Sequence, residues 1–76
     1  MEMESDYEWL ASRIKKALSY LEKHSPQSRE ILQEYVDLYF IPILNGDLDT
    51  YDEDEYFDSM DGILDEFEEQ YPEIFN

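Results

Sequence analysis

From Glu30 to Asn76 the chain carries sixteen acidic residues and no Lys, Arg or His. Such a segment folds only if each carboxylate stays in water or meets a cation, because an unpaired buried charge costs more than any single core contact contributes. The apolar residues are spaced to allow this. Phe57, Met60, Leu64, Phe67 and Tyr71 alternate three and four apart, which makes one stripe on a helix and leaves the remaining circumference to the acids. At about 100° per residue, Asp54, Asp58, Asp61, Asp65, Glu68 and Glu69 fall within about a third of a turn of one another. Asp54/Asp58, Asp61/Asp65 and Asp65/Glu69 are like-charge pairs at i,i+4, each unfavourable by roughly 0.2–0.5 kcal/mol. Solvated helix faces usually mix signs and so avoid that cost. A face that does not is suited to steering a cationic partner.

All five basic residues, Arg13, Lys15, Lys16, Lys23 and Arg29, lie in residues 1–29, where five acids balance them. The net charge of −16 therefore belongs to the rest of the chain. High net charge alone would favour disorder. Seven Tyr, four Phe and one Trp, with Leu and Ile at helical spacing, supply a core for one domain spanning residues 1–76. There is no Cys, so disulfides and thiolate metal sites are excluded. Met1-Glu2-Met3-Glu4 lacks the basic start and apolar run of a secretory signal, and the longest apolar run, Tyr39 to Leu44, is broken by Pro42 and too short for a bilayer. The expected address is the cytoplasm of a bacterial cell or of a phage-infected host, with no membrane contact.

Three helices are predicted. Ser5-Asp6-Tyr7-Glu8 is a capping-box pattern, and Tyr7, Leu10, Ile14, Ala17 and Leu21, with Ala11 and Leu18 beside them, form the inward face of a helix over about 6–24. Trp9, Arg13, Lys16 and Tyr20 share the opposite face and are candidates for self-association, since aromatics and Arg are enriched in interface cores. Ser25-Pro26 restarts the chain into a second helix over about 26–41. Its apolar residues, Ile31, Leu32, Tyr35, Val36, Leu38, Tyr39 and Phe40, cover about half the circumference, so it is expected to be the central element, packed on both neighbours. Pro42 should kink or end it, and Asn45-Gly46 suits a left-handed terminator. A second capping box, Thr50-Tyr51-Asp52-Glu53, starts the third helix, about 51–70, which Tyr71-Pro72 ends. Gly62 sits inside it, either for close backbone approach or merely tolerated. The expected fold is all-α: a small three-helix bundle, antiparallel and up-down-up, with a short C-terminal tail folded back.

No catalytic constellation is legible, so an enzyme is not expected. His24 is the single His, no Gly-rich phosphate loop exists, and the Ser residues fall at caps or on helix surfaces. Asp47-Leu48-Asp49-Thr50-Tyr51-Asp52 fails as a calcium loop, with Tyr51 at the fifth position, Asp52 where Gly is needed and Asp58 at the twelfth. Neither a cofactor nor a metal is expected.

The partner implied is a basic protein. Carboxylates three and four apart on a helix lie about 5–6 Å from one another, comparable to phosphates along a strand, so lysines and arginines that neutralise phosphates would accept them. In size, acidity and lack of catalytic groups the chain is similar to phage-borne DNA-mimic inhibitors of restriction, CRISPR or repair enzymes. That likeness implies anti-restriction or anti-CRISPR activity by binding a nucleic-acid-binding enzyme, without contact to nucleic acid itself. Asp54, Asp58, Asp61, Asp65, Glu68 and Glu69 would carry it, with Glu30, Glu34 and Asp37 on the second helix in support. Immunity proteins of nuclease bacteriocins are similar in size and acidity too, and imply aromatic anchors among the acids, for which Tyr51 and Tyr56 are candidates. A third alternative is an acidic adaptor that self-associates, so the protein is expected as monomer or homodimer.

Overall fold

The apolar stripe of the first helix buries where its spacing says it should. In the computed structural model, which describes residues 6–75, α1 spans Asp6–His24 and buries Leu10, Ile14, Ala17 and Leu21. Tyr7, Ala11 and Leu18 pack at the edge of that row. Lys23 and His24 occupy the last turn, where the helix dipole favours cations. The capping box predicted from Ser5 begins outside the described residues.

Ser25 stands at the next N-cap with Pro26 in the first turn, but its hydroxyl donates to Ser28 Oγ at 3.0 Å instead of capping a backbone amide. From there α2, Pro26–Tyr35, runs into a π-helical turn, Val36–Phe40, and on into α3, Ile41–Asn45. Backbone angles stay helical through both junctions, so these are one rod that passes the predicted end at residue 41 and reaches Asn45. Pro42 explains the π turn. It has no N–H to donate, and its ring would press on the carbonyl of Leu38 in a regular α-helix; widening the preceding turn relieves that clash. The Ile41 amide accordingly bonds Val36 O, five residues back. The rod ends at Gly46, in the left-handed region at φ 73°, where its amide donates to Ile43 O and that of Asp47 to Pro42 O. This is the Schellman arrangement for which Gly pays no steric penalty.

The third rod, α4, spans Thr50–Gln70. Its cap is Asp49, one residue before the predicted Thr50; the Asp49 carboxylate accepts from the Asp52 amide at 2.9 Å. Glu53, the expected capping-box partner, accepts instead from the Tyr7 hydroxyl of α1 at 2.9 Å. Met60, Leu64 and Phe67 are buried, with Phe57 and Tyr71 at the edge of the stripe.

The result is an all-helical bundle of three rods, with no strand among the described residues. Leu32, Val36, Phe40 and Ile43 bring the second rod into the same core, and Ile74, beyond α4, closes it. Tyr7 meets Glu53 and Phe57, Arg13 meets Asp61 and Asp65, and Tyr20 meets Tyr71, so contacts ascend together along α1 and α4. Tyr39 packs edge-on against Tyr56, joining the late second rod to early α4. The expectation of wide burial for the second rod is corrected. Ile31, Tyr35 and Leu38 are exposed, because both neighbours lie against one face of the rod and leave the other side to solvent.

Candidate protein-interaction surface

The six acids that form the row along α4 divide into two groups according to how close they lie to the core stripe. Asp61, Asp65 and Glu68 each follow a buried residue, Met60, Leu64 and Phe67, so they stand at the edge of the α1–α4 contact. There they meet Arg13. Its guanidinium donates from Nη1 to Asp61 Oδ1 and from Nη2 to Asp65 Oδ1 at 3.2 Å, with Glu68 Oε1 at 3.9 Å. The same group lies 4.5 Å from the Phe75 ring centroid and 5.2 Å from that of Trp9. Only 17% of the Arg13 side chain remains exposed. A cation held between two rings and three carboxylates is both screened from solvent and multiply bonded, which makes this a fastening of α1 to α4.

Asp54, Asp58 and Glu69 form the other group. They are exposed, and every ion pair that an α4 acid makes among the described residues is to Arg13. Glu30, Glu34 and Asp37 are exposed on the second rod, where Asp37 accepts from Gln33 Nε2 at 3.1 Å. Of the two candidate aromatic anchors, Tyr51 is 70% exposed, whereas Tyr56 is half-buried against Tyr39 with ring centroids 5.4 Å apart.

Residues considered for self-association are partly engaged within the chain. Arg13 is bound as described, and Tyr20 stacks on His24 at 4.1 Å and meets Tyr71 edge-on at 6.0 Å. Trp9 is half-exposed and Lys16 exposed. Lys15, Lys16 and Lys23 pair with no acid among the described residues and border a shallow groove with Tyr20, His24 and Ile74. The neighbouring Ser25 and Ser28 hydroxyls hold the pKa of the Tyr71 phenol below its ordinary value, Ser28 Oγ lying 3.1 Å from the phenol oxygen and in turn accepting from Ser25.

Among the described residues, no group of three or more His, Asp or Glu side chains is arranged to hold a metal, and no helix is long and apolar enough to cross a membrane. The role of Arg13 is not legible from the acidic row itself, which holds no cation within α4. The signal available was the position of Asp61, Asp65 and Glu68 immediately after core residues, together with Arg13 just before Ile14. No protein-family model, curated protein or solved structure matches the chain.

Proposed function

We propose that this chain is a non-enzymatic acidic inhibitor that binds a basic nucleic-acid-binding protein, a nuclease or an enzyme of the restriction, CRISPR or repair type, by imitating the phosphate backbone. One observation carries the reading: among the described residues a single cation, Arg13, reaches the acids of α4, and Asp54, Asp58 and Glu69 stay exposed and unpaired despite repulsion from the acids one turn away. Asp65 and Glu68 remain at least half exposed while touching Arg13, so they still face a partner. In this reading the bundle is antiparallel and up-down-up with its tail folded back, as the order of contacts supports. The protein works in the cytoplasm of a bacterial cell or phage-infected host, as monomer or homodimer, without touching nucleic acid or membrane.

A second reading is an immunity-type block of a nuclease toxin without mimicry. The exposed Tyr51, between Thr50 and the acids Asp52 and Glu53, favours it as an aromatic anchor among carboxylates. The test is capture of proteins from host lysate on the immobilised chain at low salt, with elution by a salt gradient or by duplex DNA. Mimicry requires that DNA displace the captured protein and that Asp54→Asn/Asp58→Asn/Glu69→Gln abolish capture. Undiminished capture by that triple variant refutes mimicry. A DNA-resistant complex lost on Tyr51→Ala supports the immunity-type contact instead.

A further inference from the structure

The second rod carries more apolar surface than the core uses. Ile31, Tyr35 and Leu38 lie at i, i+4 and i+7 and are 50%, 38% and 58% exposed. Ile41 and Leu44 extend the exposed apolar surface to the end of the rod. Glu30, Glu34 and Asp37 each precede one of the first three, so a row of carboxylates runs beside the apolar row at the same spacing. Tyr35 is already held in place: it stacks on Tyr39 at 6.4 Å, and Tyr39 is held edge-on by Tyr56. An aromatic side chain ordered before binding loses little entropy on docking, which is how interface anchors gain affinity.

We infer that this face docks a basic amphipathic helix, whose apolar side covers Ile31, Tyr35 and Leu38 while its Lys or Arg side chains meet Glu30, Glu34 and Asp37. The inference deepens the proposed function, on which it rests for the basic character of the partner, and adds an apolar contact that phosphate imitation does not need. Charge decides the occupant. A second copy docked face to face would bring its own Glu30, Glu34 and Asp37 to the same seam, and two chains of net charge −16 repel one another. A basic helix removes both penalties and gives the interface an apolar centre with a charged rim. The π turn belongs to this surface, since it carries the rod past Pro42 to Leu44 and keeps the apolar row from ending at Leu38.

The experiment uses two synthetic peptides with equal numbers of lysines, one an amphipathic leucine–lysine helix and the other lysine alone, titrated into the whole chain and followed by amide NMR. The leucine–lysine peptide is expected to shift resonances of Ile31, Tyr35 and Leu38, and Ile31→Gln/Leu38→Gln to weaken it about tenfold or more, as for loss of two interface anchors. Binding of the lysine-only peptide is expected to be unchanged by that substitution. Both positions are at least half exposed, so the helix content of the double variant should match the parent; Leu38→Ala, which leaves the charge unchanged, is a second variant expected to weaken the amphipathic peptide alone. Equal affinity of parent and variants for the leucine–lysine peptide would overturn the inference. So would a dimer of the parent that the double variant dissolves, which would assign the face to a second copy. Failure of the mimicry reading shows separately, as insensitivity of lysate capture to the Asp54, Asp58 and Glu69 substitutions.

Discussion

Two aspartates a single turn apart on α4 should respond in opposite directions to the same substitution. Asp61→Asn removes the charge on a carboxylate that Arg13 holds; a hydrogen bond to a charged group contributes about 1.5–3 kcal/mol. The carboxylate is one-third exposed, which puts the loss at the lower end, about 1.5 kcal/mol. Relief of repulsion from Asp58 and Asp65 returns roughly 0.2–0.5 kcal/mol for each pair, leaving a net destabilisation of about 1 kcal/mol. In a domain of this size that lowers Tm by about 4–8 °C. Asp58→Asn loses no partner and relieves its repulsion with Asp54 and Asp61, so it should stabilise by about 0.4–1 kcal/mol and raise Tm by a few degrees. Thermal melts followed by circular dichroism at low salt test this directly. Both differences should shrink at about 1 M salt, where the screening length falls to about 3 Å, with the Asp61 effect persisting more because Arg13 is shielded. If both substitutions move Tm the same way, Arg13 does not divide the row, and the α1–α4 fastening described above is wrong.

The two glycines give a paired prediction. Gly62→Ala should raise stability by up to about 1 kcal/mol, since nothing lies within 4 Å of an added Cβ and a mid-helix Gly is unfavourable. Gly46→Ala should lower it by about 1–2 kcal/mol because of its left-handed backbone; chemical denaturation with unchanged slope would report both, and a stabilising Gly46→Ala would be incompatible with the Schellman ending. Tyr71 supplies a pH signature. Its folded-state pKa lies below the unfolded one, so its contribution is absent at neutral pH, grows as pH rises through the folded value and is complete above the unfolded value. Ring-carbon NMR should show Tyr71 titrating at higher pH in Ser28→Ala than in the parent, and identical titrations would remove Ser28 as a donor.

The inward rows of α1 and α4 were legible in the sequence because helical periodicity is a local property. Leu10, Ile14, Ala17 and Leu21, and Met60, Leu64 and Phe67, repeat at three and four, and each row is long enough to fix the buried face of its helix. The left-handed Gly46 was readable for the same reason, since a backbone requirement at one residue leaves its mark at that residue. What each exposed side chain meets is not local. Whether Asp61 stood free or bound depended on Arg13, 48 residues away, and could be decided only when α1 and α4 came together. Likewise Ile31 and Leu32 are equally apolar neighbours, and which of them is buried depends on the side from which the other rods approach. The sequence alone determined that there are helices with acids outside and apolar rows inside. Only the tertiary structure decided which acids are neutralised and which apolar row is left for a partner, because both follow from the relative placement of rods that no single stretch of chain encodes.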